Sequence, residues 1–233
     1  MEVVQLSLIS KGKSFIGKHP FITGVVATIF NRTIGLNKIR IHKGNSIIGL
    51  NHSFFIKTKL KIVGTGNTIS INKLGYLRNC SFYIRGNNNR IAIGEKICII
   101  SGDIYIEDNN NEIIIGDSTA ICGYTHIAAT EGKKVVIGSD CLFSSDVTIR
   151  TGDSHSIVDN EGKRINQAKD VLIGDRVWIG NKAIILKGSV VQSNCIIGSG
   201  SVVTKAFEKS NITIAGNPAR VIKENINWLV KRI

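Results

Sequence analysis

The side chain best suited to chemistry in this sequence is His155, set in the run Asp153-Ser154-His155-Ser156-Ile157. Imidazole titrates near neutrality, so it can take the proton from a hydroxyl as that oxygen attacks a carbonyl. Asp153, or a main-chain carbonyl, is positioned by sequence to fix the imidazole tautomer. Metal chemistry finds less support. The five histidines (19, 42, 52, 126 and 155) do not fall at zinc-ligand spacing, and the cysteines (80, 98, 122, 141 and 195) are odd in number and lack any CxxC pair. No metal is expected. Cysteines so scattered fit reduced thiols in a cytoplasm.

A repeat explains why His155 stands apart. From Ile173 onward an aliphatic residue recurs at 173, 179, 185, 191, 197 and 203. Four residues into each hexad comes a small or compact side chain: Val177, Ala183, Ser189, Cys195 or Ser201. This is the pattern of three short flat strands closing a triangular coil, each face sending one aliphatic and one small residue inward. Upstream the period lengthens to 22, through Ile71, Ile93, Ile115 and Ile137. The four additional residues per coil are expected in Asn-rich corners such as 87–89 and 109–111.

The rhythm fails once. After Ile137, Phe143 and Ile149, the next positions at steps of six are His155, Glu161 and Gln167, which cannot fill aliphatic slots. Residues of about 152–170 are therefore expected to leave the wall as a loop, with His155 near its root. Long excursions from compact repeats usually carry function.

The predicted fold is all-β, a parallel β-helix built from six-residue repeats. An N-terminal cap segment (1–35) precedes the β-helix domain (36–210), and a C-terminal tail (211–233) is expected to form a short amphipathic helix carrying Trp228 and Leu229. Caps are needed because terminal coils present unpaired strand edges. The apolar run from Phe21 to Phe30 is too short to cross a bilayer, and no signal peptide opens the chain. A cytoplasmic protein is expected. The formal net charge is +13, and residues 1–61 carry ten Lys or Arg against one acid, Glu2. Such an end suits an anionic polymer or a membrane's inner face, or is simply a solvated surface. Nucleic acid is not expected, since no recognition-helix or zinc-finger pattern accompanies the charge.

The hexad run, the loop after DSHSI, the return IGDRVWIG and the ending AGNPARVI resemble the hexapeptide-repeat acyltransferases. The likeness is to sugar O-acetyltransferases related to the galactoside and maltose enzymes, and to those acting on capsular polysaccharides. It covers residues 113–225 well, and the N-terminal half through coil architecture alone. The resemblance implies a left-handed parallel β-helix of hexapeptide repeats, acetyl-CoA as co-substrate, a saccharide hydroxyl as acceptor, a homotrimer, and His155 as general base. It puts Trp178 on the acceptor side, able to stack on a sugar ring. Asn181, Ser199, Thr204, Lys205 and Arg220 then contact CoA, the two cations suiting phosphates; Lys223 is a further basic position.

One departure concerns the active-site Asn of galactoside-type relatives, where this chain has Tyr124. Tyr124, His126 and Asp146 are candidates for the acceptor pocket, each also readable as a solvent-facing coil residue. Two other functions remain open: N-acetylation of a nucleotide-linked amino sugar, and a non-catalytic solenoid binding an anionic polymer.

Overall fold

The computed structural model describes residues 20–233, with side chains from residue 24. The first 19 residues of the expected cap segment lie outside the described residues. After helix α1 (Pro20–Thr33) the chain runs through short strands. The early coils comprise β1 (Lys38–Ile41), β2 (Ser46–Ile48), β3 (Phe54–Ile56), β4 (Lys59–Val63), β5 (Thr68–Ile71), β6 (Tyr76–Arg78), β7 (Cys80–Arg85) and β8 (Arg90–Ile93). Next are β9 (Cys98–Glu107), β10 (Glu112–Ile115), β11 (Ala120–Ala129), β12 (Lys134–Ile137), β13 (Leu142–Phe143) and β14 (Val147–Arg150). The late coils hold β15 (Val171–Ile173), β16 (Trp178–Ile179), β17 (Ile184–Ile185), β18 (Val190–Val191), β19 (Ile196–Ile197), β20 (Val202–Val203), β21 (Ala206–Phe207), β22 (Thr213–Gly216) and β23 (Ala219–Lys223).

These strands wind into a left-handed parallel β-helix of about eight turns. Every third strand shares a face. The first face holds β3, β6, the starts of β9 and β11, then β13, β16, β19 and β22. The second holds β1, β4, β7, the ends of β9 and β11, then β14, β17 and β20. The third is an eight-stranded sheet from β2 to β21.

The repeat residues fill the interior as their spacing requires. Ile71, Ile93, Ile115, Ile137 and Ile173 stand in register on the third face, each 3% exposed or less. Val177, Ala183, Ser189, Cys195 and Ser201 are fully buried. Burial of each such aliphatic side chain contributes about 1.5–3 kcal/mol. Gly174 serves a different purpose from relaxing a bend: a Cβ there would lie 2.6 Å from the backbone N of Ser193 in the next coil. Close stacking of coils excludes the side chain.

The four additional residues of the longer coils occupy the corner between the second and third faces. Asn88 (φ 56°) and Asn110 (φ 60°) take left-handed backbone angles there. Beneath them runs a buried ladder: Asn67, Asn89 and Asn111 each donate Nδ2 to the Oδ1 of the Asn one coil earlier, at 2.9, 3.0 and 3.1 Å.

Helix α1 covers the N-terminal end. Asn31 donates to the carbonyls of Leu50 and Ser53, both at 2.8 Å, and accepts from the Phe55 N–H, while Phe30 meets Phe54 edge-on. The other end departs from the expected C-terminal helix. Residues 219–223 instead form β23, antiparallel to β22, and the segment beyond them is not helical. The open edge of β22 offers a full row of hydrogen bonds, and a tertiary ladder outweighs local helix preference. Trp228 then docks 8% exposed, its indole N–H donating to the Arg176 carbonyl at 2.8 Å.

Candidate active site

The break in the repeat is a loop spanning 151–170, between β14 on the second face and β15 on the third. The β12-to-β15 pairing continues across it, Ile137 against Ile173, so the coil closes beneath while the loop stands outside. His155 is exposed on the outgoing limb, its carbonyl accepting from Asn166 Nδ2 at 2.8 Å. Its imidazole makes no hydrogen bond among the described residues. Asp153 is engaged elsewhere: its carboxylate accepts from Lys187 Nζ at 2.5 Å and Asn166 Nδ2 at 2.8 Å. The Lys187 bond, then the Asn166 bond, holds the Asp153 carboxyl below its ordinary range.

Asn166 and Lys187, which sequence reasoning missed, tie the loop's limbs together. Asn166 is 6% exposed and also accepts from the Ile157 N–H at 2.8 Å. Lys187 donates to the Asn166 carbonyl at 2.9 Å. The signal available in sequence was slight: Asn166 stands in the irregular segment, and Lys187 looks like any outward residue of a hexad. The return limb is held by a two-bond pair, Arg164 to Glu131, at 2.6 and 2.9 Å.

That pair gives the loop an acid-sensitive attachment. Arg164 lowers the Glu131 pKa, so its contribution is complete above the ordinary Glu range and fades as pH falls through the depressed value. Protection factors of the amides of 157–166, corrected for the intrinsic pH dependence of exchange, are expected to fall as pH drops below the ordinary Glu range while the coils stay protected. Arg164→Met should give that lower protection already at neutral pH. Equal protection of wild type and variant across the range would contradict it.

A cleft of about 230 Å³ lies at the loop's root, lined by Tyr105, Ala128, Thr130, Arg150, Asp153 and Ser154 among others. Arg150 donates to Ser154 Oγ at 3.0 Å. On the same face His126 Nδ1 lies 3.0 Å from Asp103 Oδ2, and this bond lowers the Asp103 pKa. If Nδ1 carries the proton, the lone pair is left on Nε2. Tyr124, 49% exposed, stands two residues earlier, its hydroxyl pKa raised by partial burial and then by Asp103. Asp146 and Asn181 meet at the corner between the first and second faces, where Asn181 Nδ2 contacts Ser145 O at 3.0 Å and Asp146 Oδ2 at 3.5 Å.

The remaining sequence candidates divide. Asn181 and Ser199 belong to that first-to-second corner, with Arg220 nearby, in register with Ala215 near the end of β22. Thr204 and Lys205 follow β20, at the second-to-third corner shared with Lys187. Lys205 Nζ sits 5.5 Å from the Phe207 ring centre. Trp178 is on the first face, 39% exposed, its ring 6.2 Å from that of Trp228. Within one chain it therefore occupies a different face from the strand that leads into the His155 loop. Among the described residues no group of three or more His, Cys, Asp or Glu could hold a metal ion, and no helix is long and apolar enough to cross a membrane.

The family described as bacterial transferase hexapeptide (six repeats) matches residues 170–205. A polysialic acid O-acetyltransferase of Escherichia coli O1:K1 / APEC is 41% identical over 100 residues, 42% of this chain and 32% of that protein. The chain thus spans only about a third of that curated relative's length, and 50% of a Neisseria meningitidis counterpart's. Two solved structures extend further. The polysialic acid O-acetyltransferase OatWY superposes with a TM-score of 0.74 at 32% identity, and the polySia-specific acetyltransferase NeuO with 0.76 at 33%. Each superposition covers 84% of this chain and 89% of the other. Repeat, coil geometry and this extended likeness agree: the chain belongs to the hexapeptide-repeat acetyltransferase family.

Proposed function

We propose that the protein transfers an acetyl group from acetyl-CoA to a sugar hydroxyl, with His155 as general base. The observation that carries this reading is the break in the coil, where a tethered loop exposes an imidazole beside a polar cleft. His155 takes the proton of the acceptor hydroxyl as its oxygen attacks the thioester carbonyl. The tetrahedral oxyanion is stabilised by main-chain N–H groups of the coil wall, then collapses. The CoA thiolate leaves, and the proton on His155 passes to it. Asp153 acts as a positioning residue, since its partners are Lys187 and Asn166, the tethers of the loop.

Asn181, Ser199 and Arg220 at one corner, with Thr204 and Lys205 at the other, flank the end of the second face. A CoA bound across these late coils meets amide partners along the wall and cations for its phosphates. Tyr124, His126 and Asp146 edge the same face and serve the acceptor. Trp178 joins His155 only if a second copy brings its first face alongside, so the working form is a homotrimer with sites between neighbours. The enzyme acts in the cytoplasm, where acetyl-CoA is available, its basic end against the anionic inner membrane face.

The relatives' names point to the acceptor to try first, an acidic capsular or surface polysaccharide. Incubation with acetyl-CoA and polysialic acid should yield acetylated sugar units by mass spectrometry, removable by mild base as esters are. Base-stable acetylation of an amino sugar instead would move the protein to the N-acetyltransferases. Absence of acetyl-CoA binding by calorimetry would overturn the enzymatic reading altogether.

A further inference from the structure

Along the second face, five coil steps in register place Arg40, Lys61, Tyr83, Tyr105, Ala128 and Arg150 in one outward column. At about 4.8 Å per step the column is ~24 Å long. Its last member lines the cleft at the root of the His155 loop. Lys61 Nζ lies 5.0 Å from the Tyr83 ring centre, and the Tyr83 and Tyr105 rings are 5.6 Å apart at 31°. Two cations, an apolar strip with two phenol hydroxyls, and a third cation thus follow one another toward the loop.

Charge on this path is unbalanced. Of the nearby carboxylates, Asp103 is bonded to His126, Glu107 pairs with Arg85, Glu131 with Arg164 and Asp153 with Lys187, while Asp108 has a neutral partner, the Thr130 hydroxyl. Among the described residues Arg40, Lys59, Lys61 and Arg150 have no carboxylate within ion-pair distance, and Arg150 acts on Asp153 only through the longer-range field that helps to lower its pKa. The buried Nε of Arg150 has no hydrogen-bond partner among the described residues either. Glu107, Asp108, Glu131 and Asp153 line the cleft beside Arg150, so the excess of positive charge lies along Arg40, Lys59 and Lys61, a place for an anion from outside.

We infer that this column is the track of a linear anionic polysaccharide, laid parallel to the solenoid axis with one sugar carboxylate on Arg150. Sugar faces rest on the tyrosine strip while carboxylates further along meet Lys61, Lys59 and Arg40. Ala128, without a bulky side chain, leaves the space between Tyr105 and Arg150 through which the chain reaches the cleft. The track rests on the proposed acceptor class but needs no catalysis to be seen.

Binding of long-chain polysialic acid to the full chain, without acetyl-CoA, is the test, with neutral dextran as control. Wild type should bind the acidic polymer alone, more weakly as salt rises. The exposed pair Arg40→Glu/Lys61→Glu should weaken binding at least tenfold and flatten the salt dependence, with an unchanged melting midpoint. Tyr105→Ala should weaken it several-fold, and Tyr105→Phe should restore most of the loss. In turnover, the ratio of KM for polymer to KM for a short oligomer should rise about tenfold in the charge-reversed pair. Equal affinity of wild type for dextran, or wild-type polymer affinity in the pair, would overturn the track. Polymer bound on these residues but never acetylated would instead remove the proposed reaction and leave the track standing.

Discussion

His155→Ala is expected to lower kcat by about 10²–10⁴, the span general-base removal usually produces, or roughly 2.7–5.4 kcal/mol of transition-state stabilisation. The loss should fall on kcat, with KM for acetyl-CoA nearly unchanged, because the CoA candidates lie on the coil walls and their corners. Stability should hold: the His155 side chain is exposed, and its imidazole bonds to nothing among the described residues. The loop is tethered through the His155 carbonyl, which alanine keeps. His155→Gln should be equally slow, since an amide cannot take the proton. His126→Ala is the informative companion, because His126 is the imidazole that a carboxylate orients. A His155→Ala enzyme retaining near-full kcat, with His126→Ala inactive, would transfer the role of base to His126.

Why the sequence exposed one histidine's setting and concealed the other's follows from register. The 22-residue interval is visible because every coil must place an aliphatic side chain at the same point of its interior. His155 was found as the point where that requirement fails. Asp103 and His126 are 23 apart, because a bulge between Ile121 and Tyr124 adds a residue to β11. No fixed period brings them together on paper. The Trp178–Trp228 contact was hidden for a related reason: it depends on β23 folding back on β22, a pairing driven by an open edge rather than by local preference. The same edge explains why an apparently amphipathic tail is not a helix. Asn166 and Lys187 escaped notice because tethering a loop demands no repeat and no motif, only reach.

The largest loss of stability is expected from the polar ladder inside the second-to-third corner. Asn89 is 1% exposed. Its Nδ2 donates to Asn67 Oδ1 at 3.0 Å and the Asp108 carbonyl at 2.8 Å, and its Oδ1 accepts from the N–H and Nδ2 of Asn111 at 2.8 and 3.1 Å. Alanine removes all four bonds and leaves their partners facing a dry gap, each at about 1–3 kcal/mol. Partial relaxation of the corner brings the total to about 3–5 kcal/mol. For a chain of this size that lowers the melting midpoint by roughly 6–20 °C. Asn87 is the control one layer out. Its side chain makes comparable bonds, Oδ1 accepting from the Thr65 N–H and hydroxyl and Nδ2 donating to Asn109 Oδ1, but is exposed, so water replaces what Asn87→Ala removes, and about 1 kcal/mol is expected. Gly86 shows why the coils cannot close the gap: with φ at 143°, its position is so tight that a Cβ would lie 1.9 Å from the Asp108 carbonyl. Damage to one rung should spread to its neighbours, because each coil is stabilised by the coils it stacks on. Thermal unfolding of the two variants separates the cases: equal midpoints for Asn89→Ala and Asn87→Ala would mean the buried rung contributes no more than the exposed one.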